Sequence, residues 1–319
     1  MKKKIYTLTA VLFTFFIVLS ACQKDNDDFA YEQSITSIKA KILRIAENKK
    51  GGLNIFVSVT DQKGNAIKGL SKSNFKISML EGGVEQPIPI TDSTTLPSVI
   101  ITALTMDYSG SMYADTFSIP AMETALTTFV NLKNPYDQIE IIKFSDSVQV
   151  TVPLTSNTTS LLNGIIDTTF YGHGYTAFYR AVIKGLDDVQ TLALNNPTYL
   201  PSVIGFTDGW NNLPPLTMDT LLQKSIFNQI PVYTVGYGPN PDTTSLHTIA
   251  DSTGGAYAYN PSASSLSLLY QIVNGQLSNS VVIPIPPPPA KGKVTYRVKV
   301  NYLSRDGLFK ATDEKYFYY

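Results

Sequence analysis

The sequence predicts an α/β domain with a doubly wound, mostly parallel, Rossmann-like sheet, flanked by a β-sandwich that N- and C-terminal segments build together. In residues 97–282, continuous apolar runs alternate with helical patterns, which is typical of a sheet covered by helices on both faces. In residues 36–96 and 291–319, apolar and polar residues alternate with the period of two that half-buried strands show. Because two or three strands are marginal alone, we expect these outer segments to share one sandwich.

The N-terminus, residues 1–21, has the pattern of a lipoprotein signal peptide. Consecutive lysines precede an apolar run over 5–19, which is short for the roughly 20 residues of a membrane-spanning helix; an uncleaved anchor is the alternative. Leu19-Ser20-Ala21-Cys22 resembles the lipobox of bacterial lipoproteins, in which the cysteine is lipidated and becomes the new N-terminus. Cys22 is the single cysteine of the chain, which excludes disulfides and thiolate metal sites. We therefore predict a lipid anchor at Cys22.

Residues 22–35 are predicted to form an acidic tether. After the cysteine, Gln23-Lys24-Asp25-Asn26-Asp27-Asp28 offers little apolar surface to bury. This stretch resembles the acidic export signals of surface lipoproteins in Bacteroidetes-type bacteria, and a plain solvated linker explains its composition equally well. We expect a location in the bacterial cell envelope, lipid-anchored at the outer membrane, with surface exposure as the favoured orientation.

The charge of the chain argues against nucleic-acid binding. The formal net charge of the whole sequence is zero, and residues 1–21 hold three lysines and no acid, so the remainder carries a charge of −3. No lysine- or arginine-rich stretch follows residue 4, whereas a surface that binds phosphate backbones needs such clusters.

Strands are expected in the first outer segment, residues 36–96, from two alternating runs. The first covers 53–59 and is followed by the turn residues Asp61-Gln62-Lys63-Gly64-Asn65. The second covers 75–79 and ends at Glu81-Gly82-Gly83. The alternation predicts that each strand has one buried face and one solvated face.

The middle segment, residues 97–282, alternates between strands and helices. Buried strands are expected where apolar residues run on, at 99–106, 139–144, 203–206 and 232–235, and a hairpin edge strand at 148–154. Helical spacing predicts a helix opened by Pro120, with Met122, Ala125, Leu126 and Phe129 on its apolar face. A second helix is expected from Phe178 to Val189 on the same grounds.

The C-terminal part begins with a proline-rich segment, residues 283–290. Its sequence, Ile283-Pro284-Ile285-Pro286-Pro287-Pro288-Pro289, predicts a stiff polyproline II linker. In residues 291–319, alternation over 294–302 predicts a strand, and Asp306-Gly307 predicts the turn into a last strand that ends at Tyr319.

Polar residues follow the predicted buried strands where open α/β sheets bind ligands, at the carboxyl ends near the topological switch point. The first buried strand ends in Asp107-Tyr108-Ser109-Gly110-Ser111, and the strand at Val203 ends in Thr207-Asp208-Gly209. The loop before the helix at Phe178 reads Gly172-His173-Gly174-Tyr175-Thr176. We expect these three loops to converge.

The side chains expected to meet there are hard oxygen donors, which suit octahedral Mg²⁺ or Mn²⁺. They are the carboxylates and hydroxyls of Asp107, Ser109, Ser111, Thr176 and Asp208. Two carboxylates neutralise a doubly charged ion, while hydroxyls and water complete its coordination without adding charge. Such an ion keeps an open position for a carboxylate from outside.

The pattern Asp-x-Ser-x-Ser, then a threonine, then the aspartate of Thr-Asp-Gly resembles the metal-ion-dependent adhesion site of von Willebrand factor type A domains. The resemblance covers about residues 98–282. It implies that the five residues bind the ion directly or through water, and that an acidic residue of the ligand completes the coordination. Helix capping by aspartate and serine would explain one loop but not all three. The sequence departs from the family at Tyr175, where glycine commonly precedes the threonine.

Aromatic residues fall in the same loops and are expected to form a rim for the ligand, since such residues dominate binding hot spots. The predicted rim consists of Tyr108, Tyr175 and Trp210, with Tyr175 and Trp210 exposed. Packing of some tyrosines beneath the loops is the alternative.

The function that these observations favour is metal-dependent binding of a protein or surface ligand, without catalysis. A Ser109–His173–Asp208 hydrolase lacks the Gly-x-Ser-x-Gly elbow, and neither His173 nor His247 is well placed as a general base. We expect His173 on an exposed loop and His247 in a structural role. The alternatives are a structural subunit of an envelope assembly and, more remotely, a metal-assisted or serine hydrolase.

Overall fold

The computed structural model describes residues 35–90, 99–170, 172, 174–196, 198–259, 280–304 and 307–319. The predicted signal peptide, Cys22 and most of the tether lie outside the described residues, as do His173 and Asp306. Within these ranges, no helix is both long and apolar enough to cross a membrane.

The described residues form thirteen strands and six α-helices. The strands are β1 (Ile38–Glu47), β2 (Leu53–Asp61), β3 (Phe75–Glu81), β4 (Val84–Ile88), β5 (Ile100–Asp107), β6 (Gln138–Phe144), β7 (Val148–Thr155), β8 (Leu200–Thr207), β9 (Val232–Gly236), β10 (Tyr257–Tyr259), β11 (Val281–Ile285), β12 (Lys293–Ser304) and β13 (Gly307–Tyr318). The helices are α1 (Gly110–Ala114), α2 (Ser118–Leu132), α3 (Thr158–Ile166), α4 (Phe178–Asn195), α5 (Met218–Asn228) and α6 (Thr243–Thr253).

Two antiparallel sheets form the flanking β-sandwich. One has the strand order β1-β2-β11 and the other β13-β12-β3-β4. C-terminal β12 pairs with N-terminal β3, so the two ends of the chain build one sheet. Ile55 and Val57 of the first sheet and Val298 of the second belong to one buried cluster. The predicted sandwich of N- and C-terminal segments is therefore confirmed.

Strand β2 is buried on both faces, whereas the alternation in its sequence predicted one solvated face. Ile55, Val57 and Val59 point into the sandwich core. Phe56, on the other face, belongs to the core of the α/β part, together with Leu43 of β1 and Val282 of β11. The prediction was wrong here because the α/β part covers the face that would otherwise meet water.

Strand β11 corrects the predicted linker at 283–290. Ile283, Pro284 and Ile285 pair with β2, where a polyproline II spacer was expected. Since β11 lies at the edge of its sheet, it has a side without neighbours in the described residues, and Pro284 is tolerated there without its N–H group. The connection from β11 to β12 is therefore residues 286–292.

The α/β part is built on a six-stranded sheet, here called the central sheet, in the order β10-β9-β8-β5-β6-β7. All neighbours are parallel except the hairpin β6-β7, which confirms both the doubly wound sheet and its edge hairpin. Helices α2 and α3 pack on one face and α4, α5 and α6 on the other. The chain runs from β5 to β6 on one side and later places β8 on the other side of β5. The switch point therefore lies between the carboxyl ends of β5 and β8.

Helix α2 begins two residues before the predicted opening at Pro120. Asp115 accounts for the earlier start, because its carboxylate accepts hydrogen bonds from Phe117 N and, at 2.6 Å, from Ser118 Oγ. Both donors lie at the helix N-terminus, where main-chain N–H groups lack partners within the helix and a nearby negative charge is favourable.

Candidate metal centre

The loop after β5 begins with a fully buried carboxylate. Asp107 Oδ1 accepts a hydrogen bond from Ser109 N at 2.8 Å, which turns the chain directly after the strand. The hydroxyls of Ser109 and Ser111 lie 3.2 Å apart. Ser109 is buried and Ser111 is exposed, so the serine pair leads from the buried carboxylate towards solvent.

The loop after β8 is joined to Asp107 by a hydroxyl. Thr207 Oγ1 donates to Asp107 Oδ2 at 2.5 Å and accepts a hydrogen bond from Gly209 N at 3.0 Å. Next in the chain, Asp208 is 6 % exposed, and its Oδ1 accepts a hydrogen bond from Trp210 N at 3.3 Å. The carboxyl ends of β5 and β8 thus bring the two predicted acids to one place.

The loop before α4 is joined to both other loops. Gly174 O accepts a hydrogen bond from Gly110 N at 3.4 Å. Thr176 N donates to Asn212 Oδ1 at 2.7 Å, and Asn212 N donates to Thr176 O at 3.2 Å. Gly172 permits the close approach of this loop, because a Cβ there would lie 2.4 Å from Tyr108 O. All three predicted loops therefore meet, and the five predicted residues belong to them.

The site places a buried acid beside a second acid. Burial raises the pKa of Asp107 to about 7. Hydrogen bonds from Ser109 and Thr207 oppose this shift, while the charge of Asp208 adds to it. The charged group that acts on Asp107 is therefore a second acid. Burying a carboxylate without a compensating charge is costly, and a divalent cation would offset that cost.

The donor set fits a hard divalent cation held partly by hydroxyls. Within the described residues, no group of three or more His, Cys, Asp or Glu side chains is placed to hold a metal. Two carboxylates and three hydroxyls form a different kind of set, with oxygen ligands that suit Mg²⁺ or Mn²⁺. The geometry and the charge of the site are consistent with the predicted metal.

The predicted aromatic rim needs one correction. Tyr175 and Trp210 are 62 % and 55 % exposed, as expected. Tyr108 is 4 % exposed, and its hydroxyl donates to Glu123 Oε1 at 2.8 Å. Its side chain packs beneath the loop because α2 supplies this acceptor and Phe170 packs edge-on against its ring. Tyr108 therefore supports the first loop and does not line the rim.

Several supporting residues were not predicted from the sequence. Thr207 orients Asp107, and Asn212 holds the main chain of Thr176. Asn211 Oδ1 accepts a hydrogen bond from Tyr179 N at 3.0 Å, in the first turn of α4. The pair Asn211-Asn212 directly after Trp210 was the available signal, since side-chain amides often bind loop main chains. His247 is exposed on α6, and the centroid of its ring lies 4.1 Å from that of Tyr257.

The comparisons with known proteins begin with a protein-family model. The model of the von Willebrand factor type A domain matches residues 103–273. A search of curated protein sequences finds no significant match.

Several solved structures align with this chain. A von Willebrand factor type A protein from Catenulispora acidiphila aligns with a TM-score of 0.51 at 12 % identity, covering 88 % of this chain and 73 % of that one. An aerotolerance-related membrane protein from Bacteroides fragilis aligns at 17 % identity and a TM-score of 0.48, covering 56 % and 99 %. Manganese-loaded TRAP protein from Plasmodium vivax aligns at 16 % identity and a TM-score of 0.47, covering 70 % and 95 %. At 12 % identity, the likeness to the Catenulispora acidiphila protein concerns the fold alone.

Proposed function

This chain belongs to the von Willebrand factor type A domain family, and we propose that it is an envelope-anchored binding protein that uses a divalent cation to grip its partner. The proposed ligands of the ion, Mg²⁺ or Mn²⁺, are Asp107, Ser109, Ser111, Thr176 and Asp208. The proposed partner is a protein or another surface ligand that presents an acidic group.

The observation that carries this proposal is the uncompensated acid at the switch point. Asp107 is fully buried, and the charged group acting on it is Asp208. A binding site for a cation explains why two acids are placed together where a neutral pair would cost less. The nearby hydroxyls of Ser109 and Ser111, one buried and one exposed, support an ion that lies at the protein surface.

When bound, the ion would supply a Lewis-acidic centre that attracts a carboxylate from the partner. The residues of this chain have different roles at the site. Asp107 and Asp208 supply charge, and Thr207 and Asn212 hold the loops in place. Tyr175 and Trp210 offer exposed aromatic surface beside the ion, and Trp210 is held by a hydrogen bond from its Nε1 to Asn240 O at 3.1 Å.

Binding without catalysis is part of the proposal. Both acids of the site are assigned to the ion, which leaves neither free to act as a general base. Ser109 is fully buried and its hydroxyl lies against that of Ser111, a poor position for a nucleophile that must reach a substrate.

A lipid anchor at Cys22 is proposed from the signal-peptide pattern at residues 1–21. Replacing Cys22 by Ala should abolish incorporation of labelled fatty acid and leave the unprocessed precursor. Labelling that persists in the Cys22→Ala protein would remove the basis for the envelope location.

The test of the proposed function is capture of a partner from envelope extracts of the source bacterium with and without Mg²⁺. The immobilised wild-type protein should retain a partner in Mg²⁺ and release it in chelator. The Asp107→Asn protein should retain none, because the ion loses a charged ligand. Asp251→Asn, an exposed aspartate on α6, is the matched control and should behave as the wild type. Capture that is equal in chelator and in Asp107→Asn would refute metal-mediated binding.

A further inference from the structure

The junction between the sandwich and the α/β part contains a cluster of positive side chains. Lys41 and Arg44 lie on β1 and Lys315 on β13, and all three line one partly enclosed cavity. Leu200 and Pro231, at the amino-terminal ends of β8 and β9, line it from the α/β side. The cavity therefore lies at the amino-terminal ends of the strands of the central sheet, whereas the metal centre lies at their carboxyl ends.

Each of these cations donates to main-chain carbonyl oxygens. Lys41 Nζ donates to Gly254 O at 2.7 Å, and Arg44 Nη1 donates to Tyr199 O at 2.7 Å. Lys315 Nζ donates to Leu43 O at 2.8 Å. Carbonyl oxygens satisfy some N–H groups but bring no negative charge.

The cluster lacks the negative charge that would balance it. Among the described carboxylates, none lies within 4.0 Å of a charged nitrogen of Lys41, Arg44 or Lys315. Asp313 is the acid whose charge acts on both lysines, and its Oδ2 accepts a hydrogen bond from Ile42 N at 2.6 Å. Three cations and one carboxylate give a net charge of +2. A sulfate or hydrogen phosphate ion, with a charge of −2, would balance it.

The cost of this arrangement is reflected in the pKa values of its members. Burial lowers the pKa of Lys315 to about 8, and the charge of Lys41 contributes in the same direction while Asp313 opposes it. Burial also lowers the pKa of Lys41 and brings that of Arg44, which is 5 % exposed, to about 10. Cations held in this way gain from an anion between them.

The size of the cavity limits what it can hold. Its volume is about 40 Å³, whereas a single water needs roughly 10–15 Å³. The space suits a group of a few heavy atoms and excludes a nucleotide or a peptide segment. Arginine and lysine donors from two strands match the several oxygens of a small oxyanion.

We propose that the junction cavity binds a small doubly charged oxyanion of the sulfate or hydrogen phosphate class, through Lys41, Arg44 and Lys315. The bound ion joins β1 and β13 of the sandwich to the loops that precede β8 and β9. It thereby stabilises the contact between the two parts of the molecule, at a site separate from the metal centre and independent of its function.

The test is titration of the purified full chain with sodium sulfate and with sodium phosphate at pH 7, in chloride buffer of constant ionic strength. Calorimetry should show one ion bound per chain. At about ten times the dissociation constant, Tm should rise by roughly 2 °C over the chloride control. Millimolar concentrations are used because sulfate at high concentration stabilises proteins without a specific site.

Matched variants decide whether the cations are responsible. Lys315→Met and Arg44→Met should lower the affinity at least tenfold. Lys39→Met, an exposed lysine on the same strand β1, should leave it unchanged. If Arg44→Met fails to fold, Lys41→Met replaces it and should likewise lower the affinity. No binding heat in the wild type, or an equal Tm rise in all variants, would overturn the proposal and leave a cavity that holds water.

A lipid phosphate is the other source of the same chemistry. Sedimentation with vesicles containing phosphatidic acid, compared with neutral vesicles, separates the two. Vesicle binding that Lys315→Met abolishes and Lys39→Met preserves would assign the site to a lipid headgroup. Binding of the free ions alone would assign it to a soluble oxyanion.

Discussion

At the edge of the central sheet where β5 and β8 end, carboxylates accept hydrogen bonds from main-chain N–H groups, as Asp107 does from Ser109 and Asp208 from Trp210. At the opposite edge, cations donate to main-chain carbonyl oxygens, as Arg44 does to Tyr199. The first edge has a pair of acids and exposed loops, and the second has a group of cations beneath a sandwich. The comparison shows that the charged side chains at each edge complement the main-chain groups they bind. Acids accept from N–H groups at the first edge, and cations donate to carbonyl oxygens at the second. We therefore expect the acidic edge to gain stability from a cation and the basic edge from an anion.

The largest effect is expected at the acidic edge. At a Mg²⁺ concentration a hundredfold above its dissociation constant, the wild type should gain about 2.7 kcal/mol of stability. Asp107→Asn should lose most of this gain, and in chelator it should be at least as stable as the wild type because a buried unpaired charge is gone. Thermal denaturation with and without Mg²⁺ measures both effects, with Asp251→Asn as control. A full Mg²⁺ response in Asp107→Asn would show that the ion binds elsewhere.

The next largest effect is expected at the basic edge, in buffer without oxyanions. At pH 7, Lys315→Met should stabilise the protein by on the order of 2 kcal/mol, because it removes a buried charge at the loss of hydrogen bonds to main-chain carbonyls. The folded-state pKa of Lys315, about 8, lies below the unfolded value. At pH values between these two pKa values, the folded wild type therefore binds fewer protons than the unfolded chain. Its stability therefore rises with pH through this window.

The gain in stability from Lys315→Met should accordingly be complete below pH 8 and decrease as the pH rises, and it should reverse near roughly 10.4 because the neutral lysine keeps hydrogen bonds that methionine lacks. Urea denaturation at pH 7 and pH 10 tests this, with Lys39→Met as the reference for general effects of losing a lysine. A stability difference between wild type and Lys315→Met that does not change with pH would contradict the assigned burial of the charge.

A smaller effect is expected from the hydroxyl that orients Asp107. Thr207→Val removes the donor to Asp107 and the acceptor for Gly209 N, and it should cost about 1–2 kcal/mol and weaken Mg²⁺ binding roughly tenfold. Thr105→Val is the matched control, since the Thr105 hydroxyl is buried without a hydrogen-bond partner in the described structure and its loss should be neutral or stabilising. Equal costs for the two variants would mean that the Thr207 hydroxyl does not support the site.

The smallest effect is expected from the link between the second and third loops. Asn212→Ala should leave the stability in chelator within about 1 kcal/mol of wild type, because Asn212 is exposed. It should still weaken Mg²⁺ binding several-fold, since Thr176 N loses its partner and the threonine is no longer held against the loop that follows β8. Calorimetric titration with Mg²⁺ checks this, and undiminished affinity would show that the loop is held without Asn212.

The acidic edge could be predicted from the sequence because its residues follow directly after buried strands. Asp107 and Asp208 each end an apolar run, and parallel strands bring such ends together whatever the details of packing. The exposure of Tyr175 and Trp210 was predicted as well. The burial of Tyr108 was not predicted. It depends on a hydrogen bond to Glu123 of α2, and the distance of Glu123 from the loop cannot be read from sequence spacing.

The basic edge could not be predicted in the same way. Lys41 and Lys315 come from opposite ends of the chain and meet because β13 packs beside β1, a contact that depends on how the two sandwich sheets are arranged. The burial of Arg44 depends equally on the α/β part covering β1. Strand β11 was missed because Pro284 and the prolines that follow the strand suggest an extended spacer, and the edge position beside β2 makes pairing possible.

The double burial of β2 has a mechanical consequence if the chain is tethered at its N-terminal side, as proposed. A partner pulling at the metal centre would load the α/β part, while a tether would hold the sandwich through β1. Phe56 of β2 packs in the α/β core, and its neighbours Ile55 and Val57 pack in the sandwich core. Hinging the two parts away from each other requires withdrawing Phe56, which costs roughly 3–5 kcal/mol if compared with truncation of a buried phenylalanine. If the proposed anchor and partner both hold, tension would therefore pass through one stiff body, and the partner would be held at a fixed orientation.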